Sequence, residues 1–295
     1  MRSSILFLVL LIGCSTKPIT QPVNLITPDK ILAEVAFLAS DEMQGRFYLS
    51  NEARIAAKHI SDVWKEAKLV PLPGKDSMYL PIDDPRAAPN VAAMLQGSGD
   101  KYIFITAHYD HLKPRRSGKD KIYNGADDNA SGTAALLVIA EALSQLTETP
   151  SASIVLVAFT GEEAGLIGAK HFAKFSPIPL GNIVGLINLD MISRGERNTI
   201  FLEGAPDAPR ISLALHKANK QIGLNVVRDK HPDWLWRSDQ APFLERGVPC
   251  VFLSVEDHED YHQVTDHTEK IFPDLAAKTA QLVFLAAIDL ACPVP

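Results

Sequence analysis

A three-layer α/β/α single domain around a mixed, mostly parallel central sheet is the fold class this chain predicts, and three observations predict it. From Asn90 onward, short apolar runs alternate with longer stretches of helical periodicity, the pattern of strands interleaved with crossover helices. Several of those runs, 102–107 and 153–159 among them, are apolar at consecutive positions, as strands covered on both faces are. The 295 residues are 46% hydrophobic and 22% charged, enough for one sizeable core, and no internal repeat or second core is visible.

In chain order, Pro28 opens a helix whose apolar positions Ile31, Leu32, Val35, Phe37 and Leu38 recur at helical spacing. A second helix, 51–68, has Ile55, Ile60, Val63 and Trp64 as its expected inner face. The five prolines between Val70 and Pro89 require loop or extended chain. Residues 90–96 and 102–107 read as a strand pair joined at Gly97-Ser98-Gly99. Helix 133–147, strand 153–159, helix 164–175 and strand 182–189 follow, then strand 199–203 and helix 206–221. Residues 223–237 read as irregular, 240–246 as a short helix, 248–255 as a strand and 274–290 as the closing helix.

The ends of the chain carry a different signal. Met1-Arg2-Ser3-Ser4 is a short basic start, and the apolar run 5–12 is too short to span a bilayer as a mature helix. Leu11-Ile12-Gly13-Cys14 resembles the lipobox of bacterial lipoprotein signal peptides. The expected division is therefore a signal peptide at 1–13, a proline-containing tether at 14–27 and the folded domain at 28–295. The implied protein is lipid-modified on Cys14 and held in the bacterial cell envelope, facing periplasm or exterior. Cys250 and Cys292 read as thiols or small buried residues rather than a disulfide framework. The net charge of -6, with no basic block, points away from nucleic acid. Oligomeric state is not legible.

Chemistry collects at the strand ends. The stretch 108–132 opens with His108-Tyr109-Asp110 directly after an apolar strand and closes with Asn-Gly-Ala-Asp-Asp-Asn-Ala-Ser-Gly before a helix. The strand 153–159 leads to Glu162-Glu163, the strand 182–189 ends at Asp190, and the strand 248–255 leads through an acidic loop to His262. Ends of different strands meet at one edge of an open sheet, so residues distant in sequence can share a site there. Imidazole with carboxylate suits zinc rather than calcium or magnesium. Two neutral histidines and three carboxylates sum to -3 against +4 for two Zn²⁺, a balance that favours two metals and leaves +1 for a hydroxide. A second carboxylate beside a ligand, as in Glu162-Glu163, supplies a natural general base.

These motifs, with Gly125-Ala126-Asp127-Asp128-Asn129-Ala130-Ser131-Gly132, Asn188-Leu189-Asp190-Met191 and Tyr261-His262, stand in an order that resembles the di-zinc aminopeptidase family. That family takes in bacterial leucyl aminopeptidases and relatives of glutamate carboxypeptidase. Leu38-Ala39-Ser40-Asp41 with Gly45-Arg46, and Ser238-Asp239-Gln240-Ala241-Pro242-Phe243, also look like its blocks, so the likeness spans roughly 28–290. The resemblance implies two Zn²⁺ per chain. Asp128 would bridge them, His108 and Asp190 would complete one site, and Glu163 and His262 the other. Glu162 would be the base, Asp110 would hold the far nitrogen of His108, and Tyr261 would help stabilise the oxyanion. The Asp128–Asn129 peptide would be cis. His267 stands where a Thr is common in the family, and there is no room for the protease-associated insert of larger relatives.

The implied activity is removal of N-terminal residues from peptides. Rivals are a carboxypeptidase, with Arg194 or Arg237 holding the substrate carboxylate, a glutaminyl cyclase on the same fold, and a non-catalytic binding module. The intact five-residue ligand set argues against the last two. A serine hydrolase is disfavoured because no Gly-x-Ser-x-Gly occurs. His258-Glu259-Asp260-Tyr261-His262 formally matches HExxH, but its surroundings lack the apolar stripe of a zincin helix. His258 and Glu259 are therefore expected to be solvated loop residues. Met191, Trp234, Trp236 and Phe243 are candidates for an apolar substrate pocket, with core packing as the alternative.

Overall fold

The computed structural model describes residues 20–292. The lipobox and residues 14–19 of the expected tether lie outside the described residues; of the remainder, Val23 and Ile26 are buried in the main core, so this end of the tether packs on the domain. After a short turn of helix, α1 (Thr20–Val23), come α2 (Pro28–Leu38), α3 (Asn51–Glu66), β1 (Tyr79–Leu80), β2 (Asn90–Leu95) and β3 (Tyr102–His108). Next are α4 (Gly132–Leu143), β4 (Ser153–Phe159), α5 (Ile167–Phe175), β5 (Ile183–Leu189) and β6 (Thr199–Glu203). The chain closes with α6 (Pro209–Ile222), β7 (Asn225–Arg228), α7 (Ala241–Leu244), β8 (Cys250–Ser254) and α8 (Pro273–Ala291).

The strands form one sheet in the order β1-β2-β4-β3-β5-β8-β6-β7. Its centre, β4-β3-β5-β8, is parallel, while β2 runs antiparallel to β4 and β6 antiparallel to β8. Alternation along each strand divides the core. Ile103 and Ile105 of β3 and Ile154, Leu156 and Ala158 of β4 face the cluster built with α2, α3, α4, α6 and α8. Phe104, Val155, Val157 and Phe159 face the other side, against Phe172 of α5 and Phe243 of α7. The helices cover both faces, as the near-continuous apolar strands require.

The expected β2–β3 pairing does not occur: β4 lies between them. The crossover through α4 brings β4 parallel beside β3, and a strand apolar on both faces belongs inside the sheet. The glycine segment is no hairpin. The amide of Ser98 donates to Pro150 O, that of Gly99 to Ser151 O and that of Gly97 to Ser153 Oγ, so the segment is bound to the run into β4. A Cβ at Gly97 would stand 2.5 Å from the Ala152 carbonyl carbon.

Helical faces also shift. On α2 the buried stripe is Ile31, Val35 and Leu38, which leaves Leu32 and Phe37 at the surface. On α3 it is Ala53, Ala56, Ala57, Ile60 and Trp64, and Ile55 is exposed, because the small alanines let the helix approach closely. Within 223–237 the structure adds β7, parallel to β6, and a 3₁₀ turn at Pro232–Trp236.

Candidate metal centre

The site sits where β3, β4, β5 and β8 end, and fixed main chain positions each donor. The Arg46 guanidinium, fully buried, donates to the carbonyls of Leu38, Tyr109, Asn124 and Gly125. It thereby ties the end of α2 to the strand end after His108 and to the turn that carries Asp128. Burial lowers its pKa to about 10, while Asp110, Asp128 and other carboxylates favour its charge. The turn Ala126–Ser131 is a π-helical bend whose Asp128–Asn129 peptide is cis. The Asp266 carboxylate accepts the amides of Asp127 and Asp128, and Asn129 donates to Leu189 O at 2.9 Å. Asp128 is thus anchored both to the end of β5 and to the loop after β8.

His108 ends β3 with Nδ1 3.1 Å from the main-chain oxygen of Asp110, so Nδ1–H donates there and Nε2 presents a lone pair to the cluster. The Asp110 carboxylate, expected to hold that nitrogen, stands 3.9 Å away and accepts the amide of Glu162 instead. Around His108 Nε2 lie Asp190 Oδ1 at 3.2 Å, Asp128 Oδ1 at 3.5 Å and Glu162 Oε2 at 4.0 Å. Ser238 donates to Asp190 Oδ2 at 2.7 Å, which leaves Oδ1 turned to His108.

A second cluster shares Asp128. His262 Nε2 lies 3.1 Å from Asp128 Oδ2 and 3.1 Å from Glu163 Oε2. His111 joins it, with Nδ1 2.6 Å from Glu163 Oε1 and 3.8 Å from Asp128 Oδ2. Donors bound at about 2.0–2.2 Å around one tetrahedral zinc lie roughly 3.3 Å apart, and the 3.1–3.5 Å spacings of His108 from Asp190 and Asp128 and of His262 from Asp128 and Glu163 centre on that value. Asp128 Oδ2 is also buried without a hydrogen bond, a negative charge that a cation would compensate. The residues fit a pair of metal ions with Asp128 between them.

The electrostatics separate the two adjacent glutamates. Burial pushes the Glu162 carboxyl well above the ordinary range, with His108 opposing only in part. Burial would do the same to Glu163, but His111 and His262 hold it well below. Burial, helped by the nearby Glu163 charge, pushes Asp110 up to about 7, against the pull of His108. Burial disfavours charge on His262, yet Asp128 and Glu163 raise it to about 10.

All the residues picked from the sequence therefore converge: His108, Asp110, Asp128, Glu162, Glu163, Asp190 and His262, with the Tyr261 ring stacked on His262 at 4.0 Å between centroids. The expectation for His258 is corrected. It is not solvated: its side chain is 9% exposed and Nε2 lies 3.1 Å from Asp127 Oδ2. Its Nδ1 accepts the amide of Asp260, so both ring nitrogens already have partners, and only Glu259 is exposed as expected. Residues 258–262 form turns rather than a helix, which removes the geometry a zincin needs.

The sequence assigned no role to His111, Asp266 or Ser238, although Ser238 opens a block that resembles the family. His111 had a visible signal, a titratable side chain one residue after Asp110. The other two act through contacts across more than 45 residues, which local pattern does not show.

A cleft opens above the clusters, with Asp128, Glu162, Asp190 and His262 at its floor and Met191, Trp234, Phe252 and Val255 as apolar wall. Of the pocket candidates, Met191 and Trp234 line it. Phe243 is instead core on the far side of the sheet, and Trp236 is 55% exposed.

An α/β/α sheet carrying paired carboxylate–imidazole clusters at its strand ends is the architecture of a metal-dependent enzyme. Residues 90–287 match Peptidase family M28, and the chain belongs to that family. A probable zinc metalloprotease of Leptosphaeria maculans is 28% identical over 255 residues, which cover 75% of this chain and 56% of the relative. The chain spans about half the length of such relatives. Among solved structures, LapA aminopeptidase of Legionella pneumophila superposes with TM-score 0.73 at 17% identity, covering 94% of this chain and 75% of that one. BSAP, a zinc aminopeptidase from Bacillus subtilis, gives 0.73 at 15%, covering 91% and 96%. Porphyromonas gingivalis glutaminyl cyclase gives 0.71 at 17%, covering 89% and 98%, so the fold is shared across different activities.

Proposed function

We propose that the protein is a co-catalytic di-zinc exopeptidase that removes N-terminal residues from peptides. The observation that carries this reading is the Asp128 carboxylate, whose Oδ1 faces His108 at 3.5 Å and whose Oδ2 faces His262 at 3.1 Å. One carboxylate between two imidazoles is the arrangement of a bridged metal pair. His108, Asp128 and Asp190 would hold one zinc, and Asp128, Glu163 and His262 the other. Bound there, the ions would supply Lewis acidity and lower the pKa of the attacking water.

The chain's own residues do the rest. Glu162, at the cleft floor beside the first cluster, takes the proton of the water that adds to the scissile carbonyl and delivers it to the leaving amine nitrogen. Its raised pKa suits a group that must hold that proton between the two transfers. Tyr261 lines the cleft and would donate to the developing oxyanion.

Charge supports the amino-terminal direction. Both arginines that could hold a substrate carboxylate are already paired: Arg194 with buried Asp260 at 2.8 Å and Arg237 with Asp257 at 3.3 Å. The apolar wall supports a preference for apolar terminal residues. Lipid attachment at Cys14 and a position on the cell envelope belong to the same proposal, supported by the sequence of residues 1–14.

The test is a panel of free and N-blocked aminoacyl substrates with zinc content measured alongside. Cleavage of free substrates only, about two zincs per chain, loss of activity on chelation and recovery with Zn²⁺ or Co²⁺ are expected. Full activity in metal-free protein, or preference for blocked substrates with a free carboxylate, overturns it.

A further inference from the structure

His111 is the one titratable group in the second cluster for which the proposed reaction has no use. Its ring is wholly buried, and Gly125 lies so close that a Cβ there would meet ring carbons at 2.5 Å. The ring is therefore held in one orientation by packing. Nδ1 points at Glu163 Oε1 from 2.6 Å, and Nε2 is buried with no hydrogen-bond partner.

Two readings of that nitrogen are separable by distance. Two donors on one tetrahedral zinc stand roughly 3.3 Å apart, whereas a charge-assisted N–H···O bond spans about 2.7–2.9 Å. The 2.6 Å contact belongs to the hydrogen bond, and the 3.8 Å to Asp128 Oδ2 sets Nδ1 apart from His262 Nε2, which stands 3.1 Å from both Asp128 Oδ2 and Glu163 Oε2. The tautomer agrees. With the hydrogen on Nδ1, burial strands only a lone pair at Nε2. With it on Nε2, an N–H is stranded and two lone pairs meet at 2.6 Å.

We propose that His111 is a positioning residue of the second metal site, donating Nδ1–H to Glu163 Oε1 so that Oε2 alone faces the metal shared with Asp128 and His262. The inference rests on the two-metal reading above. It also explains why two neighbouring glutamates take different roles: Glu163 is pinned by His111, whereas Glu162 faces His108 from 4.0 Å.

The experiment dialyses zinc-loaded wild type, His111→Ala and His111→Asn against graded chelator and measures zinc per chain, with thermal unfolding of the metal-free proteins as a check of fold. Wild type should hold about two zincs. His111→Ala should keep the first and release the second at chelator strengths roughly 10–100-fold lower. His111→Asn should recover most of the loss, because its amide N–H lies where Nδ1–H was and an amide is a poor zinc ligand. Should His111→Ala not fold, His111→Gln replaces it, since its amide is one bond too far out. Second-site retention in His111→Ala equal to wild type overturns the inference. So does His111→Asn behaving no better than His111→Ala, which would make the imidazole itself a ligand. A wild type that holds a single zinc overturns the two-metal reading instead.

Discussion

His258 Nε2 stands 3.1 Å from Asp127 Oδ2, and that contact decides what the HEDYH stretch does. Asp127 precedes Asp128, and its Oδ1 also accepts the amide and hydroxyl of Ser193, three residues past Asp190. His258 thus ties the loop that carries His262 to the turn that carries Asp128. His258→Ala leaves a buried carboxylate oxygen unpaired and should destabilise the protein by about 1–3 kcal/mol. Glu259→Gln, at the surface, should stay within about 0.5 kcal/mol of wild type. Thermal or denaturant unfolding of the two variants side by side checks this, and equal stability of both would refute it.

Glu162→Gln should keep both metals and the fold while losing about 10²–10⁴ in kcat, the range for a general base. Glu163→Gln should weaken one zinc, visible as a lower metal content after mild chelation. If the metal loss follows Glu162 instead, the roles are reversed.

Arg46 has no substitute. Arg46→Met withdraws donors from four buried carbonyls that join three segments around the site. A loss on the order of 3–5 kcal/mol is expected, as for removing one member of a buried charged network. Arg46→Lys should rescue little, because one ammonium cannot span what the planar guanidinium reaches. Unfolding midpoints close to wild type for either variant would contradict the role.

Cys14→Ser should abolish lipid attachment and move the protein out of the membrane fraction or leave it unprocessed. Fractionation of tagged wild type and variant reads this directly, and an unchanged membrane-bound pool would count against the lipobox.

The strands and helices, and the order of the donors along the chain, were legible because periods of 2 and 3.6 residues and motif spacing are local properties. His108, Glu162, Glu163, Asp190 and His262 could each be found because an apolar run stops at or shortly before a titratable group. Their convergence followed from the rule that parallel strands end at one edge. Local pattern could not supply contacts chosen by packing between distant segments. β4 sits between β2 and β3 because the crossover through α4 and a double-sided apolar face decide sheet order, which no hairpin-like Gly-Ser-Gly reveals. The faces of α2 and α3 turned away from Leu32, Phe37 and Ile55 because the fit of neighbouring helices, not hydrophobicity alone, selects the buried stripe. His258 and His111 divided the same way. Each is a histidine beside a motif, and only the tertiary structure shows that one holds Asp127 and the other Glu163, since both partners lie at least 52 residues away along the chain.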